Sequence, residues 1–172
     1  MSTEALYNAS AFGNGAIATA SDQVIIGNSN VTSIGGFANW SNFSDGKYKI
    51  AVQENVPGLA FIKRLRPVTY QLDMDKLDVL RNSQKKYHFN SGESKQGQIV
   101  KTGLIAQEVE IAAIDEGYDF DGVVKPQNEN DHYRLSYSSF VVPLIRAVQE
   151  QQAMIEAMQK EIESLKISVN SR

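Results

Sequence analysis

Hydrophobic and polar positions change period several times along the chain, and the most regular stretch is the last. From Ser138 onward, Val141, Leu144, Val148, Gln151, Ile155, Met158, Ile162, Leu165 and Val169 fall on alternating steps of three and four. Glu150, Glu156, Lys160, Glu161, Glu163 and Lys166 fill positions between them. So narrow a seam predicts a coiled-coil helix that pairs with other helices rather than one lying on a broad core. Val and Ile at one seam position with Leu and Met at the other favour two strands by packing preference, and Gln151 is the polar layer that would fix register. Pro143 stands near the start, where it is tolerated as a first-turn residue or a mild kink.

Upstream the elements are shorter. Leu59, Ile62 and Leu65 share one helical face after Asn55-Val56-Pro57-Gly58, and Pro67 ends that helix. Val68, Tyr70, Leu72 and Met74 alternate as a half-buried strand, Ile99 to Leu104 suits a second strand, and Tyr133, Leu135 and Tyr137 suit a last one. Gln107 to Ile114, apolar at Val109, Ala112 and Ala113, predicts a short amphipathic helix. Asp75 to Gln98, with Lys85-Lys86 and Ser91-Gly92, reads as a surface insertion. Asp119-Phe120-Asp121-Gly122 lacks the later ligands of a calcium loop and is taken as an acidic turn.

The first forty residues differ again. From Ala9 to Gly36 the only charge is Asp22, and Ser10-Ala11-Phe12-Gly13 recurs loosely as Val24-Ile25-Ile26-Gly27 and again at Ser33-Ile34-Gly35. Short apolar strands closed by Gly at a regular period predict the end of a β-roll, with a flexible Gly/Ser/Asn linker as the plainer alternative. Because the chain opens inside this repeat, a longer protein is expected upstream.

Composition narrows the function. A net charge of -3 argues against nucleic acid as partner, since no basic face is available to neutralise phosphates. No cysteine and only two histidines, His88 and His132, leave no disulfide frame, no thiol nucleophile and little for zinc. No cofactor or metal is expected. Nor is a secretory signal or membrane span visible.

The polar break Ser44-Asp45-Gly46-Lys47-Tyr48-Lys49 holds a serine and a lysine five residues apart, the parts of a nucleophile with an amine base. A lysine serves as base only when its ammonium is discharged, and bringing a lysine from about 10.4 to about 7–8 takes on the order of 4 kcal/mol of desolvation.

Taken in order, Ser44-Asp45 with Lys49, Asn55-Val56-Pro57, Leu65-Arg66-Pro67-Val68-Thr69-Tyr70, Gly103-Leu104-Ile105-Ala106-Gln107-Glu108-Val109-Glu110 and Tyr137 before the heptad helix resemble the C-terminal intramolecular chaperone of phage endosialidases, tailspikes and tail fibres, a self-cleaving peptidase family. The resemblance spans roughly Ser44 to Leu165. It implies Ser44 as nucleophile, Lys49 as base and Ser44-Asp45 as the bond cut, with Gln107 and Glu108 as candidate supports. Gly46, Lys47 and Tyr48 depart from the family's usual Arg-rich filling and Leu. It also implies three chains rather than two.

The expected fold is α+β: the end of a β-roll shaft over 1–43, a small mixed chaperone and autoprotease core over 44–137, and a coiled-coil trimerisation helix over 138–172. The expected partners are two further copies and the upstream shaft as folding client, with no nucleic acid and no membrane. The expected place is a virion tail fibre or tailspike assembled in the host cytoplasm. A non-cleaving trimeric cap or receptor-binding tip of a fibre or adhesin, at a bacterial surface in the latter case, is the rival. Membrane-bound transcription factors use the same cleaving domain, but no DNA-binding region or membrane span accompanies it here.

Overall fold

Left-handed backbone recurs at a fixed interval near the start of the chain: Asn8 (φ 49°) matches Asp22 (φ 59°), and Gly13 (φ 107°) matches Gly27 (φ 76°). Asn, Asp and Gly are the residues that tolerate this conformation, so the sequence sets where the chain turns. Between the turns, β1 (Ser10–Phe12) and β2 (Val24–Ile26) pair in parallel, with Ser10 opposite Val24 and Phe12 opposite Ile26. Side chains repeat the step of 14 residues: Asn8 Nδ2 donates to Asp22 Oδ1 at 2.7 Å and Asn28 Nδ2 to the Asn14 carbonyl at 2.6 Å. One coil thus lies on the next in the register the sequence repeat predicts.

The structure is a computed structural model and describes residues 5–77 and 95–170. The greater part of the insertion read at 75–98, with Lys85, Lys86, His88, Ser91 and Gly92, lies outside the described residues. Two compact units interleave along the chain, one made of 1–48, 68–103 and 125–133, the other of 49–67, 104–124 and 134–172. The first holds the coils just described together with a hairpin-like pair, β3 (Val68–Tyr70) antiparallel to β4 (Lys101–Gly103), Val68 facing Gly103. Both strands are shorter than the alternation suggests, and β3 stops at Tyr70 rather than running to Met74.

The second unit is mixed α and β with a long final helix. Its elements are α1 (Leu59–Arg64), α2 (Ala106–Asp115), the two-residue strands β5 (Val123–Val124) and β6 (Arg134–Leu135) paired antiparallel, a 3-10 turn at Tyr137–Phe140, and α3 (Val141–Asn170). α1 ends because Leu65, two residues before Pro67, is already extended at ψ 140°. α2 ends in a Schellman turn: Gly117 takes φ 60°, its N–H reaches the Ile114 carbonyl at 3.0 Å, and the Tyr118 N–H reaches Ala113 at 2.8 Å.

That turn feeds Tyr118 and Phe120 into the core. Phe61, Val109, Ala112, Ala113, Phe120 and Phe140 are buried together, with Ile62, Leu65, Leu104, Tyr118, Val123 and Leu135 packed around them. The Phe61 and Phe120 ring centroids are 5.1 Å apart and Phe120 meets Phe140 edge-on at 4.8 Å. Burying each such side chain is worth about 1.5–3 kcal/mol. Burial also pushes the Tyr118 hydroxyl pKa above its usual value, with the charge of Asp121 adding to it. The turn read as merely acidic therefore carries a central core residue, Phe120.

Candidate functional site

The short loop after Phe43 is shaped by Asp45. Its carbonyl accepts the Tyr48 N–H at 3.1 Å and its carboxylate accepts the Lys47 N–H at 3.0 Å, with Lys47 Nζ at 3.4 Å, closing a 3-10 turn over Gly46–Tyr48. Phe43 and Tyr48 rings pack across the turn at 5.4 Å. Ser44 stands just before the turn and Lys49 just after it, so the turn sets the chain path between the proposed nucleophile and base. Ser44 lies inside the first unit's opening segment, 1–48, whereas Lys49 opens the second unit. Both are exposed in the single chain, as are Phe37, Trp40, Phe43, Tyr48, Ile50 and Val52 around them.

Glu108, read as a candidate support, has another partner. Arg66 forks onto it, Nε to Oε2 at 3.1 Å and the terminal NH2 to Oε1, and this hydrogen bond and charge raise the Arg66 pKa above its usual value. The pair ties the end of the α1 segment to the first turn of α2. Gln107 is exposed on α2. Tyr137, expected in a strand, instead opens the 3-10 turn and its hydroxyl accepts the Leu104 N–H at 2.9 Å, holding the backbone that leads into α2.

α3 presents two different faces. Pro143 and Ala147 are buried and Glu150 half-buried, one turn apart each, and this face meets α1. Glu150 Oε2 accepts the Leu59 N–H at 2.7 Å, capping α1 from another helix, while Arg146 Nε holds Oε1 at 3.1 Å. The seam residues Val141, Leu144, Val148, Gln151, Ile155, Met158, Ile162 and Leu165 are all exposed and lie roughly 100° around the helix from that face, at about 3.6 residues per turn. The seam is thus left open while the other face is used inside the chain.

Gly58 marks how closely α1 and α3 approach. A Cβ there would stand 2.8 Å from the Ala147 backbone nitrogen and 2.7 Å from Glu150 Oε2. Gly58→Ala is expected to force the two helices apart and to cost about 1–3 kcal/mol, read as a lowered thermal midpoint.

Among the described residues, no group of three or more His, Asp or Glu side chains is gathered as a metal site, and no helix is long and apolar enough to cross a membrane. Sequence reasoning missed Asp131 and Gln23, both buried and joined to each other; only the scarcity of charge around Gln23 hinted at a special role.

Residues 44–118 match the model of the Peptidase_S74 family, the chaperone of endosialidase. The match falls on the Ser44 motif and the segments that follow it, the part of the chain whose resemblance to this chaperone the sequence suggests. No curated protein and no solved structure matches the chain.

Proposed function

We propose that this chain is an intramolecular chaperone that trimerises through the open seam of α3, helps an upstream tail-fibre or tailspike shaft to fold, and frees itself by cutting Ser44-Asp45. The observation that carries the reading is the family match, which begins at Ser44 itself. Shaft strands paired between chains form slowly and expose edges, and a C-terminal trimer keeps three chains in register at high effective concentration. The parallel coils at 10–26 are the candidate end of that shaft, and their exposed Phe12, Val24 and Ile26 are surfaces that further copies would cover.

In the chemistry we propose, neutral Lys49 takes the Ser44 Oγ proton and the oxygen attacks a Ser44 carbonyl. The bond to the Asp45 nitrogen breaks, that nitrogen takes the proton, and water then hydrolyses the ester. Attack on the same residue's carbonyl would close a four-membered ring, so the nucleophile acts on a neighbouring subunit or positions a water. Burial is what discharges a lysine, and Lys49 is exposed in the single chain. Assembly supplies that burial in this scheme, because a second and third copy would cover the exposed aromatics that flank the motif in sequence. Cleavage then leaves the shaft kinetically trapped.

Intact mass and denaturing electrophoresis on freshly expressed protein test this. A fragment beginning at Asp45 is expected, formed faster as pH rises because only the neutral amine accepts a proton. The exposure of Lys49 is the observation that favours the rival, a permanent trimeric cap or tip. A chain that stays full-length after complete assembly would establish that rival instead.

A further inference from the structure

The compact unit that contains residues 1–48 also contains 68–103 and 125–133, so it is built from chain on both sides of the Ser44-Asp45 bond. A buried polar cluster joins the two sides. Thr19 Oγ1 donates to Asp131 Oδ1 at 2.9 Å, and Gln23 Nε2 donates to Asp131 Oδ2 at 3.3 Å. The Gln127 N–H reaches the same Oδ2 at 3.1 Å. Gln23 Oε1 in turn accepts the N–H groups of Thr19 and Ala20, each at 3.2 Å, and Asn128 Nδ2 donates to the Thr19 carbonyl at 2.9 Å. Gln23 is only 7% exposed and Asp131 only 9%. Thr19, Ala20 and Gln23 belong to the upstream coil, whereas Gln127, Asn128 and Asp131 belong to the downstream piece.

A carboxylate held away from water keeps its charge through the donors around it, and removing those donors leaves it unpaired at a high cost. Cutting the backbone at residue 44 touches none of these bonds. We infer that Asp131, with Thr19 and Gln23, is a latch that holds the downstream piece on the upstream coil after the chain is cut, making cleavage and release separate events. The inference rests on the cleavage reading, but the latch itself can be judged without it.

Trp40, the only tryptophan in the sequence, labels the upstream piece. The full chain is cut in two ways, by its own activity and, in a second version, by a site-specific protease whose recognition sequence is placed between Phe43 and Asp45. Denaturing electrophoresis reads the cut, and size exclusion under native conditions with Trp40 fluorescence reads whether the pieces stay together. Wild-type pieces are expected to co-elute. Asp131→Asn keeps the shape but turns a donor toward donors, and Thr19→Val removes one hydroxyl at nearly constant volume. Both should cut to the same extent yet release the upstream piece about tenfold faster or more.

Thermal unfolding of the uncut variants separates loss of the latch from loss of the fold, with Thr19→Val as the milder change. If wild-type pieces separate as fast as those of the variants, or the variants stay together as long as wild type, the latch is disproved. Failure of the chain to cut itself would sink the cleavage reading alone, since the protease-nicked version still decides the latch.

Discussion

Ser44→Ala is expected to leave the chain uncut, and Lys49→Ala to do the same, with the assembled oligomer unchanged in size. In the proposed mechanism both groups act in one step, so removing either loses nearly the whole rate, on the order of 10⁴-fold or more. Lys49→Arg should be as inactive as Lys49→Ala, because a guanidinium stays charged and accepts no proton. Neither side chain is buried, so neither variant should alter folding. Intact mass and N-terminal sequencing read the result. Continued cutting in Ser44→Ala would end the mechanism. A wild-type fragment that begins at Ser44 rather than Asp45 would move the attack to the Phe43 carbonyl, where the hydroxyl of the next residue closes a five-membered ring.

The parts of this protein governed by local rules could be read from its sequence. Pro67 and Gly58 bracket α1, the alternation at Val68 and Tyr70 gives β3, and the step of 14 residues between left-handed Asn8 and Asp22 follows from residue types that tolerate that backbone. What escaped were side chains whose burial depends on distant partners. Phe61 sits one position off the Leu59, Ile62 and Leu65 face and is fully buried, because Phe120 and Phe140 come to it from far along the chain. Asp131 looks like one acid in a polar loop until Thr19 and Gln23 are brought beside it. Glu108 is similar: its ion-pair partner, Arg66, is revealed only by the fold. Ser44 and Lys49 are picked out by the motif alone, and the single chain leaves both exposed.

Ile155→Asp or Ile162→Lys should abolish association, and cleavage with it. In a trimer each substitution would place three charges in an apolar seam without partners, at a cost of about 3–5 kcal/mol apiece, more than a coiled coil of this length can absorb. The single-chain fold should survive, because the face of α3 that meets α1 ends at Glu150, before either position, and Gln151 through Asn170 are all exposed. Sedimentation should therefore show a monomer whose thermal unfolding remains cooperative. An oligomer of unchanged size would mean that some surface other than this seam holds the copies together. The same variants decide what triggers cutting. With Ser44 and Lys49 intact but no neighbour to cover the exposed Tyr48, Ile50 and Val52, the chain should remain whole. A monomer that cuts at the wild-type rate would show that burial within one subunit discharges the lysine, and assembly would then follow cleavage or proceed apart from it.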